Sequence, residues 1–452
     1  MHWLTFITAI YGDVRGYHRL QIWREAYDNQ NLSRDELDTL THQLLQRRIR
    51  SALDRFPSYA SFVEKHRGTL PTASELINLA ELPIWTRKDQ RAFFDQQQRP
   101  DDSAYIHQTS GSTSLPVRFH VTRESYEWRT AVTDRSYSWA GAQEGARSFY
   151  IWAGAVKPPP MLQKIKRRVH TTLQRRTFFE AFQSFGDTER RACCALINRS
   201  RPRSIVGYSS LLVDLARFVR DHPGVLQWKP RTMVSAAEGL SPADRALLEE
   251  HLVHQVYLSY GSREVMNIGI ECERHDGYHL VTDNVLTEVV DEAGRAVAPG
   301  EAGRIVITDL RNLATPLIRY EIGDFGTMAA HDDTCACGRP FPRLLSVDGR
   351  LQDVVYTPDG GKLTALFITY TMRQFDWIEG YQIVQDAYDK ILVRLLTKSD
   401  LTPERTGPVE TLLRKRLGHD MTINFERADE LIRLASGKIH LVISNVEKSA
   451  GQ

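Results

Sequence analysis

The sequence predicts an α/β protein: a large amino-terminal domain of sheets covered by helices, then a small α+β carboxyl-terminal domain. Three observations carry this reading. From about residue 105, short β-branched or aromatic runs (YIHQT, SFYIWAG, RTMVSAA, QVYLSYG, RIVITDL) alternate with amphipathic stretches such as LLVDLARFVRDH and PADRALLEEHL. Strands that alternate with helices build a sheet covered on its faces. Near residue 348 the texture changes to GYQIVQDA, KILVRLLTK, RTGPVETLLRKRLG, MTINFERA and KIHLVISNV, which fits a small mixed domain of roughly 100 residues. Finally, 452 residues at 42 % hydrophobic content exceed what one core needs, so two or more domains are expected.

Taken in order, the opening MHWLTFITAI is briefly apolar but has no basic segment before it, and the charged YGDVRGYHRLQIWREAYD follows. It reads as a helix of a cytoplasmic protein, not as a leader. Residues 32–66 carry helical periodicity with charge, and Ser33 is placed as the N-cap. The helix-covered sheets are expected to occupy residues 1–348, a hinge 349–353, and the small domain 354–452. No internal repeat or low-complexity tract interrupts this order.

The 58 basic and 56 acidic side chains nearly cancel to +2, which argues against a nucleic-acid or membrane surface covering the protein. No run approaches 18 apolar residues, so no membrane span is expected. The basic segment KIKRRVHTTLQRR, 164–176, reads as a solvated helix face or as a meeting place for acidic partners. Five cysteines are too few for a disulfide framework, and Cys193 and Cys194 read as helix-core residues.

The run HQTSGSTSLPVRF places Thr109, Ser110, Gly111, Ser112 and Thr113 between two strand-like stretches. Amides of a Gly/Ser/Thr loop point inward as a nest, and the hydroxyls add donors, so such a loop holds phosphate oxygens. It is not a Walker A loop, because no GK[ST] follows; a solvated turn is the plainer alternative. Elsewhere, Cys335 and Cys337 in TCACGRP, and Cys272 with His275 and His279 in ECERHDGYH, offer thiolates and imidazoles that suit Zn²⁺. Small buried core residues are the alternative there.

TSGSTSLP resembles the phosphate-binding loop of the adenylate-forming enzymes, the acyl-CoA synthetases and adenylation domains. The family's other motifs follow in order: SAAEG at 235–239 resembles the adenine-side turn, YGSREV at 260–265 the aromatic-Gly-x-x-Glu motif, and LIRYEIGD at 317–324 the ribose-binding motif. GRLQDVV at 349–355 is similar to the interdomain hinge and SGKIH at 436–440 to the carboxyl-terminal lysine loop. YGSREVMNIGIECERHDGYH and CACGRPFPRLLSVDGR look closest to the phenylacetate-CoA ligase branch, particularly its CapK-like members. Two departures stand out. Ser114 replaces the loop's usual glycine, and Leu115 and Val117 flank Pro116 where many members carry lysine. At the hinge, Gln352 occupies the usual Asp or Lys position with Asp353 beside it, and either could swivel.

The resemblance implies the adenylate-forming enzyme fold and a two-step reaction. A carboxylic acid and ATP give an acyl adenylate and pyrophosphate, and the acyl group then passes to a thiol, that of CoA. It further implies roles. Thr109 to Thr113 would hold the β and γ phosphates, Glu264 would hold Mg²⁺, and Tyr260 and Gly261 with Ala236, Ala237 and Glu238 would meet the adenine side. Asp324 would accept from the ribose hydroxyls, Arg319 and Arg350 would lie near the nucleotide, and Lys438 would meet the charge that shifts in the transition state. Tyr208, Ala236, Tyr260, Ser262 and Met266 would line the acid's pocket. Cys272, His279, Cys335 and Cys337 match the places where some relatives bind structural zinc. The partners implied are a small carboxylic acid and CoA or another acyl acceptor, with no nucleic acid, no membrane span, and a homodimer as an allowed assembly. Transfer to an amine, hydroxyl or carrier protein in polysaccharide or secondary-metabolite biosynthesis is the alternative reaction. A non-catalytic nucleotide-binding or assembly role is the remaining one.

Overall fold

A computed structural model describes residues 18–71, 78–97, 105–109, 116–153, 171–181, 185–236, 239–240, 242–350, 354–359, 362–364, 368, 371–372, 374–375, 377–432 and 441–446. The opening MHWLTFITAI, most of the hydroxyl loop and the lysine loop fall outside them. The chain divides into two compact units, one of Met1–Gly239, Leu247–Ile322 and Gly326–Val347, the other of Leu240–Ala246, Gly323–Phe325 and Asp348–Gln452.

The first unit opens with helices α1 (Arg19–Asp28), α2 (Arg34–Arg55), α3 (Pro57–Arg67) and α4 (Arg87–Gln96). Ser33 starts α2 through a capping box: the Glu36 N–H donates to the Ser33 hydroxyl at 3.3 Å, and the Ser33 N–H donates to the Glu36 carboxylate at 2.7 Å. A short hairpin follows, β1 (Tyr105–Gln108) antiparallel to β2 (Arg118–Val121), and then α5 (Arg123–Trp139).

The rest of the unit is built on a large sheet. Its parallel part contains β3 (Ser148–Ala153), β4 (Arg176–Ala181), β5 (Ser204–Tyr208), β6 (Thr232–Ala236) and β7 (Gln255–Ser262), in the spatial order β4-β3-β5-β6-β7. Helices α6 (Asp187–Ser200), α7 (Ser209–Asp221) and α8 (Pro242–His251) connect these strands. Short apolar strands such as SIVGY are buried along nearly their whole length, as a strand covered on both faces must be. Cys193 and Cys194 are fully buried on α6, in the helix-core role expected of them. Of the segment 164–176, residues 164–170 lie outside the described residues; Arg176 begins β4, with its guanidinium 5.2 Å over the Tyr150 ring.

Beyond β7 the sheet turns antiparallel through β8 (Met266–Glu271), β9 (Tyr278–Leu280), β10 (Val285–Val290), β11 (Ala302–Asp309), β12 (Tyr320–Met328) and β13 (Arg343–Arg350). Among the described residues of this unit, fully buried ion pairs join Arg129 to Asp309 at 2.5 Å and Arg135 to Asp283 at 2.6 Å, linking α5 to the antiparallel strands and their turns. Removing one partner of such a pair would leave an uncompensated buried charge.

The second unit carries the pair β14 (Val354–Tyr356) and β15 (Lys362–Thr364), and a four-stranded sheet in the order β18-β17-β16-β19. Its strands are β16 (Gly380–Ala387), β17 (Lys390–Leu396), β18 (Thr422–Ala428) and β19 (Val442–Ser444), with α9 (Pro403–Leu417) between β17 and β18. On β17 the period of two is plain: Ile391, Val393 and Leu395 point into a core with Val409 and Leu413 of α9.

Candidate active site and metal centre

The carboxyl ends of parallel strands are where open α/β sheets bind ligands. In register there, Gly207 pairs with Ser235 and Tyr208 with Ala236, and Ala236 pairs in turn with Ser259 of β7. Gly207 lets β5 and β3 approach closely, since a Cβ there would lie 2.3 Å from Ile151 Cγ2. Tyr208 follows, edge-on to Trp152 with ring centroids 4.8 Å apart. The structure thus brings Tyr208 and Ala236 side by side, while Ala237 and Glu238 lie outside the described residues.

The YGSREV motif forms the β7–β8 turn. Its strand register shifts between Tyr260 and Gly261, and a Cβ on Gly261 would sit 2.3 Å from the Met266 carbonyl oxygen, so only glycine fits. Met266 takes the left-handed backbone (φ 66) that closes the turn. Tyr260, expected on the adenine side, is 8 % exposed, belongs to the main core, and meets Tyr278 edge-on at 6.4 Å. The Ser262 hydroxyl is buried without a hydrogen-bond partner among the described residues. An orphaned donor of this kind is costly unless a ligand or water completes it.

Glu264 is 3 % exposed, and its Oε1 accepts from the Tyr320 hydroxyl at 3.2 Å. Burial, followed by the negative charge of Glu264, holds the Tyr320 phenol well above its ordinary range, so it stays a donor. Among the described residues no lysine or arginine forms an ion pair with Glu264, a buried carboxylate that lacks a cation. Tyr320 was not singled out in the sequence, although it sits inside LIRYEIGD.

Arg319 does not take the nucleotide-side role that the resemblance implies. Its Nη1 donates to the carbonyls of Ala80 at 3.2 Å and Leu82 at 2.8 Å, and its Nη2 donates to that of Gly294 at 2.6 Å. Nε and Nη2 meet the Glu288 carboxylate at 3.3 and 3.1 Å, and the side chain is buried. A guanidinium with its donors so engaged is a structural clasp.

The hairpin of β1 and β2 carries the hydroxyl loop, and Thr109 closes its neck. The Thr109 N–H donates to the Val117 carbonyl at 2.9 Å, and the Val117 N–H donates to the Thr109 hydroxyl oxygen at 2.9 Å. Ser110, Gly111, Ser112 and Thr113 lie outside the described residues, as does Lys438. In the second unit Asp324 is half-buried on β12, and Arg350 ends β13, where only its backbone is described.

The cysteines and histidine converge. The ligand atoms of Cys272, His279, Cys335 and Cys337 all lie within 4.8 Å of one another. Cys272 Sγ is 3.7 Å from Cys335 Sγ, and Cys337 Sγ is 3.3 Å from His279 Nε2. Antiparallel pairing of His279 with Arg343 brings β9 beside β13, next to the loop that carries Cys335 and Cys337. His279 Nδ1 lies 3.2 Å from the Phe341 carbonyl oxygen, which favours a proton on that nitrogen and leaves Nε2 facing the thiols. Burial pushes the imidazole down to about 4 and the Cys272 thiol up to about 12. The donor set of three sulfurs and a neutral imidazole fits a closed tetrahedral zinc site. His275 stays outside the quartet, held by Glu271 at 3.1 Å and Gln255 at 2.9 Å.

Known proteins resemble this chain in sequence and in fold. The family described as the CapK C-terminal domain matches residues 355–445. A phenylacetate-coenzyme A ligase of Thermus thermophilus is 28 % identical over 341 residues, covering 72 % of this chain and 73 % of its own. Protein CapK of Staphylococcus aureus is 22 % identical over 381 residues, covering 82 % of this chain and 81 % of its own. A crystal structure of 2-hydroxyisobutyryl-CoA ligase in the postadenylation state superposes with a TM-score of 0.73 at 20 % identity, covering 92 % of this chain and 91 % of that one, a likeness of fold.

Proposed function

Since the chain belongs to the adenylate-forming ligases, on the branch of the phenylacetate-CoA ligases and CapK, we propose that it activates a small carboxylic acid with ATP and transfers the acyl group to CoA. The observation that carries this is the buried Glu264 carboxylate, held by Tyr320 and without a cationic partner among the described residues, one turn from the unpartnered Ser262 hydroxyl. A carboxylate in that setting suits the Mg²⁺ that accompanies ATP, where the ion would neutralise phosphate charge.

In the first step a carboxylate oxygen attacks the α-phosphorus and the bond to pyrophosphate breaks. In the second the thiol attacks the acyl carbonyl carbon, loses its proton and expels AMP. The residues divide the work as follows. The loop Thr109 to Thr113 holds the departing phosphates, Asp324 accepts from the ribose hydroxyls, and Arg350 lies near the nucleotide. The SAAEG turn and Gly261 border the adenine, with Tyr260 as a packed wall. Tyr208, Ala236, Ser262 and Met266 border the acid, either an aryl or a compact aliphatic one. Lys438 stabilises charge that develops between the carboxylate and the α-phosphate. Residues 354–452 act as a mobile small domain on the hinge 349–353, withdrawing Lys438 after the first step. Cys272, His279, Cys335 and Cys337 hold a structural zinc that fastens this part of the sheet and takes no part in the chemistry.

Acid-dependent exchange of pyrophosphate into ATP tests the first step, run across a panel of aryl and compact aliphatic acids. Hydroxylamine trapping with and without CoA tests the second. No exchange with any acid overturns the reading, and an adenylate that forms but never yields a CoA thioester moves the acceptor to an amine, hydroxyl or carrier.

A further inference from the structure

The parallel strands start level with one another at the end opposite Tyr208 and Ala236. Ser148 of β3 pairs with Ser204 of β5, Ser204 with Thr232 of β6, and Thr232 with Gln255 of β7. The residue immediately before each of these starts is basic: Arg147, Arg203, Arg231 and His254. Backbone hydrogen bonds hold the row. The Arg203 N–H donates to the Arg147 carbonyl at 2.7 Å, that of Arg231 to the Arg203 carbonyl at 2.9 Å, and that of His254 to the Pro230 carbonyl at 3.1 Å.

Adjacent strands lie roughly 4.8 Å apart, so the row sets like charges beside one another, an arrangement that costs stability. All four side chains are exposed, and among the described residues no carboxylate forms an ion pair with Arg147, Arg203 or Arg231. Folding alone does not account for them. It does account for their neighbour Lys229, whose Nζ donates to the carbonyls of Glu249 at 2.7 Å and Glu250 at 2.9 Å in the last turn of α8. It also accounts for Trp228, whose indole N–H donates to the Pro202 carbonyl at 2.8 Å and fixes the ring, with the Arg201 guanidinium 5.7 Å from its centroid.

Together these residues line an open cleft of about 490 Å³, with no acidic side chain among the described residues of its wall. That volume lies within the roughly 300–1,000 Å³ of small-molecule sites. Guanidinium forks match phosphate oxygens, and a row of them matches consecutive phosphates better than a single anion. We propose that this cavity at the amino-terminal edge of the parallel sheet is a second anion site, which binds an oligophosphate across Arg147, Arg203 and Arg231 beside Trp228. The site lies a strand's length of roughly 17 Å from the motifs at the carboxyl ends, and it does not depend on the reaction proposed for them.

Inorganic tripolyphosphate, titrated into the full chain at physiological salt and followed by tryptophan fluorescence, tests the proposal. A saturable change is expected in the wild type and none in Trp228→Phe, which isolates the signal from any phosphate bound at the hydroxyl loop. In Arg203→Ser/Arg231→Ser the apparent affinity should fall about 100-fold, since each of the two lost charged hydrogen bonds is worth about tenfold. Both arginines are exposed, so the variant should melt with the wild type. A parallel titration with GTP assigns the source: equal affinity identifies the phosphate chain alone as the ligand, and tighter binding adds a nucleoside against Trp228. A response absent from the wild type, unchanged in the double variant, surviving Trp228→Phe, or reproduced by sulfate at the same concentration overturns the proposal.

Discussion

The Tyr320 phenol donates to Oε1 of Glu264 over 3.2 Å, with both side chains buried. A neutral donor fixes the carboxylate without cancelling its charge, which leaves it to hold a cation. Glu264→Gln keeps the shape and removes the charge. We expect pyrophosphate exchange to fall about 10²- to 10³-fold. Tyr320→Phe should lose about tenfold and require more Mg²⁺ for half-saturation. Unchanged magnesium dependence in both variants would remove Glu264 from the metal-binding role.

Lys438→Ala and Asp324→Ala should fail in different ways. Losing the lysine is expected to cost adenylation about 10²- to 10³-fold with ATP binding retained, because it acts on the transition state. Losing the aspartate should instead raise the KM for ATP. Equal kcat losses with unaltered KM in both would show that the two roles have been assigned wrongly.

Arg319→Ala is predicted to be a stability variant. It strands the carbonyls of Ala80, Leu82 and Gly294 and leaves Glu288 without its counter-ion. Loss of one member of a buried pair costs about 3–5 kcal/mol. The urea midpoint should fall accordingly, while the ATP KM of the protein that remains folded stays at the wild-type value. A raised KM at an unchanged midpoint would return Arg319 to the nucleotide.

The quartet of Cys272, His279, Cys335 and Cys337 should carry about one zinc per chain after metal-sufficient expression. Cys337→Ser or chelation should lower the melting temperature before it slows the chemical step. Elemental analysis that finds less than about 0.2 zinc would leave these residues as ordinary core.

Asp134 gives the fold a pH dependence of unusual sign. Burial, followed by the neighbouring Glu144 charge, raises its carboxyl from 3.8 to about 6. Between those values the folded chain holds a proton that the unfolded chain has released, so stability falls as pH rises through the window and levels off above it. Two units correspond to a change of about 3 kcal/mol at most. Urea midpoints at pH 4.5 and 6.5 should therefore differ less in Asp134→Asn than in the wild type. Parallel curves for the two proteins would locate the proton elsewhere.

Much of the fold was legible because local chemistry and final structure agree. Ser33 caps α2, KILVRLLTK alternates on β17, and YIHQT and VRFHVT pair across the hydroxyl loop. Legibility ended where a residue's partner is distant in sequence. Nothing in LIRYEIGD distinguishes Arg319, which turns to the carbonyls of Ala80 and Leu82, from Tyr320, which turns to Glu264. His279 was separable from His275 only through the family resemblance. In the structure the pairing of β9 with β13 supplies the reason, a register that no local pattern encodes. The basic row was invisible for the same cause, since its members are strangers in sequence and neighbours only because four strands start level.

The neck between Thr109 and Val117 has a consequence for the entropy of binding. A segment whose ends are free must lose the freedom of its ends as well as its own when it wraps a ligand. Here two hydrogen bonds of 2.9 Å have already joined the ends, so that part of the cost is met by folding. For the triphosphate proposed to bind there, affinity would then depend on the strength of the neck as well as on the groups that touch phosphate. On the proposed reading, Val117 at the rim of the hairpin would then influence how tightly ATP is held without contacting it, while Thr109 would act both through the neck and on the phosphates.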